Sequence, residues 1–375
     1  MKVLTVFGTR PEAIKMCPLV LEMKKHSEID CKVCLTGQHR EMLRQVMEAF
    51  EIQEDYNLDI MRERQTLTTI TTSVLEKIDP VLREAKPDIV LVHGDTTTSF
   101  AAGLAAFYQQ IPVGHVEAGL RTGNIYSPFP EEMNRLLTGR IAAYHFAPTK
   151  RNEENLLKEN VAKNIFITGN TVIDAFKTTV KDDYKFSDPI LQTLDYAKNR
   201  VIVVTAHRRE NLGEPLENIC QAIKRLTEEY SDIKVVYPVH LNPAVRETVY
   251  RILRDNPQVE LLEPLDVLDM HNLIARSFMV MTDSGGLQEE APSFGKPVLV
   301  MRTETERPEA VEAGTVKIAG VTQENIFHLA SELLSDENKY SKMAKAVNPY
   351  GDGHASERIV QILLEAGSSD LKFGG

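Results

Sequence analysis

The chain has 375 residues, with 43 Lys and Arg against 54 Asp and Glu, and a formal net charge of −11. That length accommodates two domains of ordinary size, and the acidic balance argues against nucleic acid or an anionic membrane as partner, since either demands a basic face. No apolar run approaches the ~18 residues of a membrane span, the Met1-Lys2 start leads into a strand rather than a signal-peptide core, and four cysteines fit a reducing, cytoplasmic setting better than a disulfide framework.

In chain order, an apolar run over residues 3–7 ends at Gly8-Thr9-Arg10-Pro11-Glu12, and helical periodicity follows over 13–25. Residues 31–35 read as a strand. Within it Cys31 and Cys34 lie three apart and point to opposite faces, so their spacing reads as burial rather than as a metal or redox pair. Helices are expected over 43–50 and 67–85, then a strand over 89–92 before His93-Gly94-Asp95-Thr96-Thr97-Thr98 and a helix over 99–108. A strand at Val113 leads into Gly114-His115-Val116-Glu117-Ala118-Gly119, where His115 and Glu117 lack a third ligand, so no metal site is expected. A helix over 131–141 follows Ser127-Pro128-Phe129-Pro130, with Pro130 suited to a helix start.

The first half closes near residues 166–170, residues 171–180 read as a helix, and the polar stretch 181–199 is the least regular. Alternation restarts with a strand over 201–204 before Thr205-Ala206-His207-Arg208-Arg209-Glu210-Asn211, a helix over 216–230, and a strand over 235–239 before His240. Helix 244–253, strand 259–262, helix 267–275 and strand 278–281 lead to Thr282-Asp283-Ser284-Gly285-Gly286, which opens another helix. A turn-rich segment over 348–353 precedes a final helix over 355–366. Such alternation specifies parallel sheets covered by helices. The expected architecture is α/β, with two Rossmann-like doubly wound domains facing across a cleft: residues 1–169, residues 170–350, and a C-terminal segment 351–375 packing back on the first.

In parallel α/β sheets ligands bind outside the carboxyl ends of the strands, and every polar cluster above falls on that edge. Neither half carries a G-x-G-x-x-G fingerprint or a Walker-type phosphate loop, which lowers NAD-dependent redox chemistry and ATP hydrolysis together. Phosphate would instead meet helix N-termini and cations such as Arg10, Arg208 and Arg307. Ser284, Gly285 and Gly286 form a candidate anion cradle, with Glu289 or Glu290 one turn on as ribose acceptor; a plain tight turn is the alternative. Lys15 adds to the positive edge around Arg10 or is an exposed helix residue. Asp95, Glu117 and Glu131 are the candidate catalytic acids. Against this, an Asp after a strand is often a helix cap, and Glu131 would complement a helix dipole and pair with Arg135 four residues on. His207 and Arg208 suit a diphosphate leaving group, or belong to a solvated charge run.

Taken together, Gly8-Thr9-Arg10-Pro11-Glu12-Ala13-Ile14-Lys15, His93-Gly94-Asp95-Thr96-Thr97, His115-Val116-Glu117-Ala118-Gly119-Leu120-Arg121, Pro130-Glu131-Glu132-Met133-Asn134-Arg135, His207-Arg208-Arg209-Glu210-Asn211, Asp283-Ser284-Gly285-Gly286 and Thr305-Glu306-Arg307-Pro308-Glu309 resemble the motifs of the bacterial non-hydrolysing UDP-N-acetylglucosamine 2-epimerases. The resemblance runs in order over nearly the whole chain. It implies a GT-B fold, a homodimer, and interconversion of UDP-GlcNAc and UDP-ManNAc for surface polysaccharide with no cofactor. It implies that Asp95, Glu117 and Glu131 serve proton transfer at C2, that His207 assists the diphosphate, and that Arg10, Lys15, Arg135, Ser284, Gly285, Gly286, Glu290 and Arg307 bind substrate. It further implies an effector site for a second UDP-GlcNAc lined by Gln38, His39, Arg64, Arg208 and His240, with Glu41 standing where similar enzymes have Gln. A retaining glycosyltransferase, a hydrolysing epimerase and a catalytically silent nucleotide-sugar sensor are the competing readings.

Overall fold

The computed structural model describes residues 1–37, 40–62 and 65–368. The chain forms two compact units, one of Met1–Thr178 with the segment that begins at Tyr350, the other of Thr179–Pro349.

The first unit runs β1 (Lys2–Phe7), α1 (Arg10–Met23), β2 (Asp30–Leu35), α2 (Arg40–Ala49), β3 (Tyr56–Asn57), α3 (Leu67–Ala85), β4 (Ile89–His93), α4 (Thr97–Tyr108), β5 (Val113–Val116), α5 (Glu131–Ile141), β6 (Tyr144–Ala147), α6 (Lys150–Lys158), β7 (Ile165–Ile167) and α7 (Thr171–Thr179). Its sheet is parallel throughout, in the order β3-β2-β1-β4-β5-β6-β7. The second unit runs α8 (Pro189–Thr193), β8 (Arg200–Thr205), α9 (Glu214–Glu229), β9 (Ile233–Pro238), α10 (Pro243–Leu253), β10 (Val259–Leu262), α11 (Val267–Arg276), β11 (Met279–Thr282), α12 (Gly285–Glu290), β12 (Val298–Val300), α13 (Pro308–Ala313), β13 (Val316–Ile318), α14 (Gln323–Ser335) and α15 (Glu337–Ala344). Its sheet, also parallel, has the order β10-β9-β8-β11-β12-β13. The last described element is α16 (Ala355–Ser368), in the first unit.

Both sheets thus have Rossmann-like strand order, reversing direction between β1 and β4 in one unit and between β8 and β11 in the other. The central strands are apolar runs because helices cover both faces; all five residues of β4 are buried. Ile70, Val74, Ile78 and Leu82 of α3 belong to the first core with Leu4, Val6, Val90 and Val92. The second core gathers Ile202, Val204, Ile219, Ile223, Tyr237, Met279 and Met281.

Several boundaries differ from those read in the sequence. α1 starts at Arg10 rather than at residue 13, because Thr9 caps it in a capping box with Glu12 and Pro11 sits in its first turn. α4 starts at Thr97, capped by the Thr96 side chain. The divide between units follows Thr178 rather than Gly169, so most of α7 belongs to the first unit. There the buried Asp174 carboxylate accepts from the backbone N–H groups of Ala355 (3.1 Å) and Ser356 (2.8 Å) and fixes the start of α16. In the irregular stretch 181–199, order comes from the buried Asp269, which accepts from Tyr184 Oη (2.8 Å) and from the N–H groups of Ser187 (3.0 Å) and Asp188 (3.1 Å). Cys31 and Cys34 are free thiols, both pushed up to about 12 by burial. Among the described residues no helix is long and apolar enough to cross a membrane, and no cluster of His, Cys, Asp and Glu is arranged to hold a metal ion.

Candidate active site

In the first unit β4 and β5 are adjacent, with His93 in register with Val116, so Asp95 and Glu117 leave neighbouring strands at the carboxyl edge of the sheet. Glu117 follows the last residue of β5 with φ +63°, a left-handed conformation that costs a non-glycine residue about 1 kcal/mol. Observed strain of this kind marks a side chain whose direction matters. The Glu117 carboxylate accepts from Lys15 Nζ and from Asn170 Nδ2 (2.8 Å), and His93 Nε2 lies 3.6 Å away. Burial by itself would raise this carboxyl, but Lys15 and His93 outweigh it and hold it well below the usual carboxylate range. Glu117 is therefore charged at neutral pH.

Asp95 is held differently. Arg135 Nη2 donates to Asp95 Oδ2 (2.6 Å), and Asn134 Nδ2 donates to the Asp95 carbonyl (2.9 Å). The other end of the same guanidinium donates to Glu132 Oε2 (2.9 Å), while Glu132 Oε1 accepts from the N–H groups of Thr122 and Gly123, each at 3.0 Å. Arg135 and Glu132 are both buried. Arg135 thus has two carboxylate partners, neither of them Glu131, and the i,i+4 pair open to it in sequence is replaced by an i,i+3 pair with Glu132. The side chain of Glu131, half-buried in the first turn of α5, makes no hydrogen bond or ion pair among the described residues. Of the two basic residues expected beside the acids, Lys15 is committed to Glu117, whereas Arg10, at the start of α1, has no hydrogen-bonded or ionic side-chain partner among the described residues.

His115 donates no charge to this edge. It is fully buried, with Nε2 2.7 Å from the Gly94 carbonyl, and burial brings it down to about 3.

In the second unit the turns after β8 and β11 flank the strand-order reversal. The buried Asp283 joins them: its Oδ2 accepts from the N–H groups of His207 and Arg208, both at 2.8 Å, and from Asn211 Nδ2 at 3.0 Å. Its Oδ1 lies 3.5 Å from His207 Nδ1. The His207 ring stacks on His240 with centroids 5.0 Å apart and planes 8° from parallel. Burial, His240 and Arg208 lower the His207 pKa against the opposing pull of Asp283.

At the start of α12, Ser284 makes no side-chain cap. A Cβ on Gly286 would stand 3.2 Å from Glu290 Oε1, and one on Gly285 would stand 3.6 Å from Arg307 Nη2 and 3.9 Å from Arg208 Nη2. The glycines leave room beside two guanidinium groups that converge on this turn. Of the two acids that follow, Glu289 is buried and paired with Arg307 Nε, while the half-buried Glu290 has Oε2 3.7 Å from His271 Nε2. Of the two, Glu289 is the more buried and is committed to an ion pair, and Glu290 is the more exposed.

Gln38, His39 and Arg64 lie outside the described residues, as does the side chain of Glu41. Of that expected group the structure describes Arg208, whose Nη1 is 3.9 Å from Glu306 Oε1, and His240, whose Nδ1 accepts from the Asn242 N–H at 3.1 Å.

Sequence reasoning passed over Glu12, Glu132, Asn134, Asn170 and Asp283 as site residues. Glu12 had a readable signal, Thr-x-x-Glu at a helix start. Glu132 has its partners within ten residues, but those of Asn134, Asn170 and Asp283 are distant in sequence, with Asn170 53 residues from Glu117.

The sequence profile of the family described as UDP-N-acetylglucosamine 2-epimerase matches residues 21–364. A UDP-N-acetylglucosamine 2-epimerase of Bacillus subtilis is 61% identical over 365 residues, 97% of this chain and 95% of that protein. The crystal structure of the Neisseria meningitidis UDP-GlcNAc 2-epimerase bound to UDP-GlcNAc superposes with a TM-score of 0.89 at 51% identity, covering 97% of this chain and 100% of the other. That of the Methanocaldococcus jannaschii enzyme in complex with UDP-GlcNAc and UDP does so with a TM-score of 0.79 at 33% identity, again covering 97% and 100%. The chain belongs to the UDP-N-acetylglucosamine 2-epimerase family of isomerases.

Proposed function

We propose that this enzyme interconverts UDP-GlcNAc and UDP-ManNAc by eliminating UDP and adding it back. The observation that carries this reading is the pair of carboxylates at the ends of adjacent strands, Asp95 held by Arg135 and Glu117 held charged by Lys15, with Glu131 unpartnered in α5. The C2 hydrogen of a glycosyl diphosphate has no carbonyl beside it to acidify it, so direct deprotonation is too slow. As the C1–O bond breaks and its electron pair leaves with UDP, oxocarbenium character at C1 makes the C2 proton removable. A carboxylate takes that proton and the C–H pair becomes the C1–C2 double bond of 2-acetamidoglucal. Return of a proton to the opposite face of C2, with the diphosphate oxygen re-forming the C1–O bond, gives the epimer.

Asp95, Glu117 and Glu131 serve the proton transfers and their hydrogen-bond network. Glu117, kept as a carboxylate by Lys15, is equipped to accept a proton. His207, oriented by Asp283, assists the departing and returning diphosphate, and Arg10, Ser284, Gly285, Gly286, Glu290 and Arg307 hold UDP. Lys15 and Arg135 act on the substrate through the acids they pair. The reaction consumes no redox equivalent, and its product would supply surface-polysaccharide synthesis. UDP-GlcNAc incubated in D2O should acquire deuterium at C2 by NMR; release of free sugar would identify a hydrolase, and an unchanged spectrum would sink the epimerase mechanism.

Arg208 and His240 also support a regulatory reading in which a second UDP-GlcNAc acts as effector. A homodimer is the accompanying expectation, for which the exposed Phe107 and Tyr108 at the end of α4, 58% and 68% accessible, offer apolar surface; light scattering decides it.

A further inference from the structure

Glu12 is 2% exposed and bridges two turns. Its Oε2 accepts from the N–H groups of Gly8 (3.0 Å) and Thr9 (2.7 Å), in the turn that leads to Arg10. Its Oε1 accepts from Thr96 Oγ1 (2.7 Å) and lies 2.8 Å from Ser99 Oγ, in the turn that carries Asp95. These are the turns after β1 and β4, the two strands between which the order of the sheet reverses and where a doubly wound sheet opens its ligand crevice. We propose that Glu12 is a positioning residue for epimerisation: it fastens the turn carrying Arg10 to the turn carrying Asp95, and so fixes where Asp95 stands relative to the sugar. The inference rests on the reading of Asp95 as a group that serves the C2 proton.

A capping box alone does not account for this geometry. Capping α1 needs only Oε2. Oε1 is committed 84 residues away, to the hydroxyl that itself caps α4 by accepting from the Ser99 N–H at 3.0 Å. Asp95 immediately precedes that cap, and its carboxylate is held by Arg135. Moving Thr96 therefore turns Asp95 against a fixed guanidinium. Arg10 shares in this, because the N–H of the residue before it is one of the Glu12 donors.

Hydrogen-bond inventory sets the test. Glu12→Gln can keep its amide oxygen on the two backbone N–H groups, which only donate, and turn its NH2 to Thr96 and Ser99, whose oxygens also accept. The displaced hydroxyl hydrogens have places to go, since Thr98 Oγ1 lies 2.8 Å from Thr96 Oγ1 and the His93 carbonyl 2.7 Å from Ser99 Oγ. Glu12→Ala breaks the bridge outright.

The experiment compares the full-length Glu12→Ala, Glu12→Gln, Ser99→Ala and Asp95→Asn enzymes by kcat and KM, by UDP affinity in calorimetry, and by release of free 2-acetamidoglucal. Glu12→Ala should lose kcat by about 10²-fold, the cost of misplacing a reacting group by about 1 Å. It should bind UDP like the parent and release more glycal, because the returning proton is misdirected. Glu12→Gln should recover most of kcat. Ser99→Ala, which keeps the Gly8 and Thr9 bonds, should show a smaller loss of the same kind and decides the matter if Glu12→Ala does not fold. A purely structural role would lower stability without raising glycal release or separating kcat from UDP affinity. Parental kcat in folded Glu12→Ala or in Ser99→Ala, beside a slow Asp95→Asn, overturns the fastening. Parental kcat in Asp95→Asn itself removes the reading on which it rests.

Discussion

Arg135 and Asp95 are joined by a 2.6 Å ion pair whose guanidinium is almost wholly buried and is shared with Glu132. This makes Arg135 an anchor for the proposed catalytic acid rather than a residue free to reach for substrate. Truncating one partner of a buried pair leaves an uncompensated charge and costs about 3–5 kcal/mol. Arg135→Ala should therefore lower the urea midpoint substantially as well as kcat. Asp95→Asn and Glu131→Gln should lose kcat by about 10²- to 10⁴-fold with UDP affinity near that of the parent. An Arg135→Ala enzyme as stable as the parent would show that the pair is not an anchor.

Lys15 and Glu117 form the second anchored acid, and here the sign of the pH effect follows from the opposed influences on the carboxyl. Burial raises it; Lys15 and His93 lower it further than burial raises it. Lys15→Met removes the charge that is the largest single lowering influence, so the Glu117 pKa must rise. If the reaction needs Glu117 as a carboxylate, the acidic limb of the kcat/KM profile moves to higher pH in Lys15→Met. A limb that stays in place would show that Glu117 does not have to be charged, and with it the proposed base role fails.

The sequence exposes the architecture because both sheets are parallel and doubly covered, which writes their strands as uninterrupted apolar runs. Asp95 and the turn that opens at Asp283 are recognisable for the same reason, each just beyond the fourth strand of its sheet; the role of the Asp283 side chain is not. What sequence withholds is pairing. Glu131 and Arg135 have ideal spacing for an ion pair, and tertiary structure overrides it by offering Arg135 the carboxylates of Glu132 and Asp95. The short elements β6, α6, β12, α13, β13 and α15 lack the long periodic stretches on which such a reading depends, and β12 and β13 have only three residues each; α14, by contrast, carries a helical period in Ile326, Ala330, Leu333 and Leu334 that the sequence does display.

Histidine burial makes a stability prediction. His115 and His271 are both lowered to about 3 by burial, so both are neutral in the folded protein at neutral pH. Unfolded, each takes up a proton near pH 6.5. Between pH 6.5 and 3 the unfolded chain binds more protons, so stability rises with pH there; it is fully present above about 6.5 and lost as pH falls toward 3. The limiting slope is about 1.4 kcal/mol per pH unit for each histidine. Urea midpoints at pH 7.5 and 5.5, above the carboxylate range, should drop accordingly, and a flat response would contradict neutral burial of these rings.

The effector reading predicts sigmoidal kinetics with UDP-GlcNAc, and weak turnover of pure UDP-ManNAc that a trace of UDP-GlcNAc restores. Such coupling requires the effector to favour one conformation over another. Hyperbolic kinetics with full reverse activity on UDP-ManNAc alone would remove the effector while leaving the epimerase intact. The family resemblance implies a Gln at position 41, so if the Glu41 carboxylate faces an anionic effector, Glu41→Gln should lower the effector concentration required.

His207 and Asp283 yield the sharpest test of the diphosphate assignment. Asp283 Oδ2 fixes the His207 turn through three N–H donors, while Oδ1 faces His207 Nδ1 at 3.5 Å and favours the protonated ring. Asp283→Asn can keep its oxygen on those three donors and put its NH2 where Oδ1 was. The turn then survives, but Nδ1 meets a donor instead of a negative charge. Burial, His240 and Arg208 already lower the His207 pKa, and loss of the Asp283 charge lowers it further. A ring that assists the departing diphosphate as an acid would be protonated over a narrower range, so the limb of kcat assigned to His207 should shift to lower pH, and the His207 signals in an NMR titration should shift with it. His207→Asn should slow both directions of the reaction, since the same diphosphate oxygen leaves and returns. If Asp283→Asn moves the NMR titration and leaves the kcat profile where it was, His207 is not the acid, and the burden of stabilising the diphosphate passes to the guanidinium groups of Arg208 and Arg307 beside Gly285.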